Sequence, residues 1–148
     1  MKFNIESLVV LEKLLKQNTF DEKEFNRFVR TKGIKGFLEH ERSMNKYTSI
    51  NDVRKEIKRI TKSKEYKDRY GFHKIKDNIL QLSEDIQYIK ENEKFIIDKA
   101  IETVYKIVPR DMSVDTNIYL YIGGDDGGFT VNRKKIYINY GKYIGNVD

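Results

Sequence analysis

Asn117-Ile-Tyr-Leu-Tyr-Ile122, then Gly123-Gly-Asp-Asp-Gly-Gly128, then Phe129-Thr-Val-Asn-Arg-Lys-Lys-Ile-Tyr-Ile-Asn-Tyr140: along this stretch the chain changes its physics. Up to Pro109 the apolar residues recur at helical spacing. Ile118 to Ile122 and Ile136 to Tyr140 are instead short runs of β-branched and aromatic residues, which fit a pleated, half-buried surface. Both are read as strands. Between them lie four glycines and two aspartates, residues suited to positive φ and tight reversal, so the chain is expected to fold back on itself there. The expected fold is α+β in a single domain: a mainly helical region over residues 1–109, then a small antiparallel β-meander over 110–148.

The helical region divides by its own punctuation. Ile5, Leu8, Val9, Leu11 and Leu15 give a broad apolar stripe to a first helix from about Ile5 to Lys16, ended by Asn18. Thr19 and Glu22 stand at capping-box spacing, and Phe25, Phe28 and Val29 form the buried face of a second helix that is expected to stop at Gly33. Ile34, Phe37 and Leu38 make a short third helix. Ser49 with Asp52 opens a fourth, in which Ile50, Val53, Ile57 and Ile60 are spaced by three or four. The charged segment from Lys62 to Tyr70 reads as a linker or a frayed helix end, closed by Gly71. Two long helices, Phe72 to Lys90 and Glu93 to Val108, are then expected to pack as an antiparallel pair. Pro109, the only proline, ends the second of them.

Composition narrows the chemistry. A chain of 148 residues is long enough for a real core, burying roughly 70% of the surface its unfolded form exposes. The absence of cysteine excludes disulfides, thiolate zinc sites and thiol catalysis. The apolar run Val9-Val10-Leu11 is too short for a signal-peptide core or a membrane span, and the chain is read as cytoplasmic with no membrane partner. The net charge of +6 is uneven: residues 111–148 hold four Lys/Arg against five Asp, which leaves 25 minus 18, or +7, on residues 1–110. A basic helical module raises nucleic acid as a partner. Yet Lys and Arg alternate with Glu along the same segments, the pattern of solvated helix faces, and this weighs against nucleic acid.

Three constellations bear on chemistry. His40-Glu41-Arg42-Ser43-Met44 is one residue short of His-Glu-x-x-His, the pair of imidazoles on one helical face that holds a peptidase zinc, because Met44 stands in the second ligand position. His40 is therefore read as a surface residue at a charged helix end, and His73, with no carboxylate or serine at a telling spacing, as solvent-facing. The Gly123–Gly128 loop has two readings, a hard-cation or phosphate cradle and a hairpin connection. It lacks the alternating ligands of a calcium loop and the Lys-Ser/Thr and helix of a phosphate loop, so the hairpin weighs more. Tyr119, Tyr121, Phe129 and Tyr137, beside Arg133, Lys134 and Lys135, have the chemistry to stack bases, but cross-strand packing accounts for them more simply.

The order of these elements resembles that of bacterial zinc-dependent peptidases of the gluzincin type, a group described partly as domains of unknown function. The resemblance is carried by Phe25-Asn-Arg-Phe-Val-Arg-Thr-Lys-Gly-Ile-Lys-Gly-Phe37 in the helical part, the strand Ile118-Tyr-Leu-Tyr-Ile-Gly123, the segment Gly128-Phe-Thr-Val131 and the strand Lys135-Ile-Tyr-Ile-Asn-Tyr140. In that family a helix bearing His-Glu-x-x-His follows. These 148 residues contain no such motif, so no catalytic and no metal-binding residue carries over, and zinc is expected only with a segment beyond Asp148. What the resemblance does imply is a wall: Gly127, Gly128, Phe129, Thr130 and Val131 match the sheet-edge strand that borders the cleft and pairs with extended peptide substrate. Asn146 and Asp148 would serve as N-caps of the following helix.

Two function classes stay open on the sequence. One is the N-terminal part, or a degenerate relative, of a zinc metallopeptidase, supplying the helical domain and the cleft wall without chemistry of its own. The other is a self-sufficient basic helical protein that binds nucleic acid or a protein. On the first reading Ile136 and Ile138 would be covered by the zinc helix, and without it the C-terminal strands are expected to self-associate.

Overall fold

The computed structural model describes residues 1–111 and 114–144. Among these, the order is β1 (Lys2–Asn4), α1 (Glu6–Lys16), α2 (Glu22–Arg30), α3 (Lys32–Ser43), α4 (Ile50–Lys62), α5 (Phe72–Asp77), α6 (Ile79–Val104), β2 (Asn117–Tyr121), β3 (Gly128–Val131) and β4 (Lys135–Asn139), with a 3-10 turn over Tyr140–Lys142. The fold is α+β and mainly helical, as the periodicity indicates. The positions of Asn146 and Asp148 lie outside the described residues.

The sheet is mixed, not an antiparallel meander. Its strand order is β1-β2-β4-β3, with β1 parallel to β2, β2 parallel to β4, and only β3 antiparallel to β4. The physical reason lies in the strand compositions. Ile118, Tyr119, Leu120 and Tyr121 are all buried, so β2 needs a neighbour on each side and cover on both faces, the usual state of a strand with parallel partners. The richer strand Lys135-Ile-Tyr-Ile-Asn139 takes the inner place beside it. Gly128-Phe-Thr-Val131, short and mostly exposed, is left at the edge. The glycine loop therefore does not close a hairpin but carries the chain past the place of β4. The hairpin lies one connection later, where Asn132 and Arg133 both adopt positive φ, 54° and 58°, the signature of a primed turn. β1 went unread because three residues are too few to set up an alternation.

Helix boundaries moved for local reasons. Asp21, not Thr19, caps α2, its side chain accepting from the Lys23 and Glu24 amides at 2.9 and 3.2 Å. α2 ends at Arg30, and Gly33 lies inside α3, where a Cβ would come within 2.8 Å of the Leu120 carbonyl oxygen. The glycine is there to let the helix touch the sheet rather than to end α2. Ser49 and Asp52 form the capping box read from their spacing. The segment before Gly71 is non-helical but is no loose linker, since Asp68 and Tyr70 are buried in it.

The two long helices are one. α6 runs from Ile79 to Val104 with a single non-helical residue at Asn92, whose side-chain amide donates to the Tyr88 carbonyl at 2.9 Å. A side chain competing for an i−4 carbonyl bends a helix without reversing it. Asn78 does the same to Lys74 at the break between α5 and α6. No glycine or proline stands at either place, so the antiparallel pair does not form. α1 and α3 close over one face of the sheet, α2 packs on both of them, and the first half of α6 packs on α1, all sharing one continuous cluster of buried side chains.

Candidate functional site

The alternation of the strands gives the sheet two unlike faces. Tyr119, Tyr121, Phe129 and Tyr137 project toward α3 and stack on one another: Phe129 on Tyr137 at 4.6 Å between ring centroids, Tyr119 on Tyr137 at 4.9 Å, Tyr121 beside Phe129 at 5.5 Å. This is cross-strand packing, and the rings are not splayed for bases. α3 approaches closely because Gly36 lies over the Tyr137 ring with no room for a Cβ. Burial pushes the Tyr121 hydroxyl well above the ordinary range for a phenol, with the Asp126 and Glu41 charges adding to the effect.

The opposite face is aliphatic. Ile118, Leu120, Ile136 and Ile138, with Phe3 of β1, look across an apolar groove of about 630 Å³ at Ile96 and Ala100 on the second half of α6. Gly127, Gly128, Phe129 and Thr130, four of the five residues that match the family's wall strand, also border this groove. Val131, the fifth, sits at the far end of β3, opposite Lys135. Four of them form β3 and Gly127 directly precedes it, and among the described residues β3 has β4 on one side and no strand on the other.

Next to this edge the glycine loop is fastened at two points. Asn139, at the end of β4 and 2% exposed, donates its amide to the carbonyls of Gly123 at 2.9 Å and Asp126 at 3.0 Å, while its Oδ1 accepts from the Gly141 amide. Asp126 meets His40, whose Nε2 lies 2.9 Å from Oδ2, and the His40 ring lies flat on Phe129 at 4.0 Å. The His40 hydrogen bond holds the Asp126 carboxyl below its usual range. His40 is thus no idle surface residue. It clamps the loop to the edge strand from the end of α3, a pairing across 86 residues that carries no local signature. Gly124, at φ 72°, supplies the left-handed backbone the loop requires.

His73 is also partnered. Its Nδ1 lies 2.6 Å from Oδ1 of Asp68, and the same carboxylate accepts the backbone N–H groups of Tyr70, Phe72 and His73 at 2.7–3.1 Å. Asp68 sits five residues away in a non-helical segment, where spacing says nothing about approach. The two histidines hold separate carboxylates, and among the described residues no group of three or more His, Asp or Glu side chains converges in a way that fits a metal ion. No helix among the described residues is long and apolar enough to cross a membrane.

A family model described as "Putative zinc dependent peptidase (DUF5700)" matches residues 25–147. No curated protein and no solved structure matches the chain.

Proposed function

The chain belongs to this family of proposed zinc-dependent peptidases, and from that premise we propose that residues 1–148 form the helical domain and the substrate-side wall of such an enzyme, of the gluzincin type. The observation that carries this reading is the pairing of an open apolar sheet face with a free strand edge. An extended peptide adds to an unpaired edge through main-chain hydrogen bonds, its alternate side chains entering pockets on either face. In this reading Gly127 to Val131 present that edge, and the face bearing Ile136 and Ile138 receives the helix that holds the metal. The ligands and the general base would come from residues outside this segment, so no chemical step is assigned to any side chain here.

The reading makes a demand on the coding sequence. Past Asp148 it should continue in frame and reach His-Glu-x-x-His within about two helix lengths, each on the scale of roughly 8–20 residues. A stop codon with no such motif downstream would overturn it. The basic helices have a simpler account than nucleic acid: Arg27 pairs with Glu24, Arg54 with Glu22 and Arg59 with the buried Glu56, all within or between α2 and α4.

A further inference from the structure

We propose that the crevice beyond the carboxyl ends of β2 and β4 binds a phosphate group. These parallel strands end side by side at Tyr121 and Asn139, and the chain leaves them in different directions, into the glycine loop and into the Tyr140–Lys142 turn. Crevices of this origin are where open parallel sheets collect ligands. Here the crevice holds about 130 Å³ and is closed on its remaining side by the segment Asp68–Lys74.

Its chemistry is that of an anion site. His73 is 14% exposed and Asp68 fully buried, and their 2.6 Å contact fixes the imidazole through Nδ1. Because the carboxylate only accepts, Nδ1 carries the proton of that bond, and Nε2 is the ring nitrogen left for a ligand, a donor to phosphate in the imidazolium form. The carboxylate that orients the ring is itself saturated by three backbone N–H groups. Arg69, Lys74 and Lys142 line the same crevice. Lys74 and Lys142 make no ion pair among the described residues, and Arg69 reaches Asp52 only at 3.8 Å. Among the described residues the single other carboxylate at the rim, Asp125, is 88% exposed and lies 3.9 Å from Lys46. A metal ion would meet one imidazole among three cations. Among the described residues no serine or threonine lines the crevice as a nucleophile for a His–Asp base. A phosphate group, charged and accepting on every side, matches donors of the histidine, lysine and arginine kind. The small volume admits little beyond that group, so the rest of an ester would lie in solvent past Lys142.

This inference does not depend on the peptidase reading. It is tested by titrating the full chain with inorganic phosphate at constant ionic strength while following the backbone amide resonances of Tyr70 to Lys74, Gly124 and Gly141. Saturable shifts are expected there, absent with chloride. Lys74→Gln and Lys142→Gln, both at exposed positions, should each weaken binding at least about fivefold with an unchanged melting temperature. Glycerol phosphate binding more tightly than inorganic phosphate would identify an ester as the ligand, and weaker binding the free anion. Shifts that stay linear, that chloride reproduces, or that both lysine variants leave unaltered would overturn the proposal. His73→Gln should abolish the shifts. If that variant does not fold, the two lysine variants decide.

Discussion

The Tyr140 hydroxyl donates to Oδ2 of Asp85 at 2.5 Å, joining the turn after β4 to α6 across 55 residues of sequence. The bond is buried, and Oδ1 of the same carboxylate accepts from Gln81 at 2.9 Å. It is a polar tie between the helix and the end of the sheet. Tyr140→Phe removes a donor from a buried charged acceptor and should cost about 1–3 kcal/mol. Urea unfolding measures it, and a midpoint equal to that of the unchanged protein would deny the bond any role.

Alkali should act through the same residue. Burial, then the bond to Asp85, raises the Tyr140 hydroxyl above its ordinary 10.0, and burial raises Tyr121 likewise. For an acid whose folded value is raised, both states keep the proton below the unfolded value. The contribution is therefore full below about pH 10 and falls as the unfolded chain ionises above it. Melting temperature against pH should be insensitive to these tyrosines up to that point and then decline, with Tyr140→Phe reducing the slope. A decline that the variant leaves unchanged would refute the assignment.

Gly33→Ala should reverse the usual rule for helices. In an exposed helix this exchange gains about 1 kcal/mol. At position 33 the new methyl would sit 2.8 Å from the Leu120 carbonyl oxygen, a backbone atom held in the sheet, and overpacking of this kind costs about 1–3 kcal/mol. The sign of the change in stability decides.

Arg133→Gly should stabilise. A side chain at φ 58° carries a local steric cost that glycine avoids, and Asn-Gly is the favoured pair for a primed hairpin turn. A gain of about 0.5–1 kcal/mol is expected once the greater freedom of glycine in the unfolded chain is offset. A loss would mean that the arginine side chain holds the turn.

The groove should make the protein adhesive. Ile136 and Ile138 are only partly buried beneath a 630 Å³ opening, and contiguous apolar surface of this kind drives association. Light scattering should show a mass that rises with concentration, and Ile138→Lys should lower it. A strict monomer at high concentration, indifferent to this change, would count against the proposal.

How far the sequence could be read follows the range of the interactions. The Ser49–Asp52 box, the α1 stripe and the strands β2 and β4 were legible because each is written within a few residues, whereas β3 was named only from the resemblance. The strand order was not. It depends on Tyr119 and Ile118 needing cover on both faces, a tertiary demand that only competition between β3 and β4 for the inner place resolves. Thr19 lost the cap of α2 to Asp21, which stands next to the first turn, and the expected helical hairpin became the bend at Asn92. At the site, the wall residues Gly127 to Val131 were named from a resemblance, whereas the partners of His40 and His73 had no sequence signal. One pair is 86 residues apart, and the other lies in an irregular segment.

β1 pairs with β2 in parallel register, Phe3 opposite Ile118, so the six helices make up a single crossover between adjacent strands. Long-range pairing of this kind means high contact order and slow assembly. On the ribosome, where chains emerge N-terminus first, residues 2–4 emerge well before Asn117–Tyr121 and have no partner until β2 has been synthesised. During that interval the apolar faces of α1 and α3 lack the surface they are built to meet. The nascent helical portion is thus the period of greatest exposure to aggregation, and holding chaperones would matter most then.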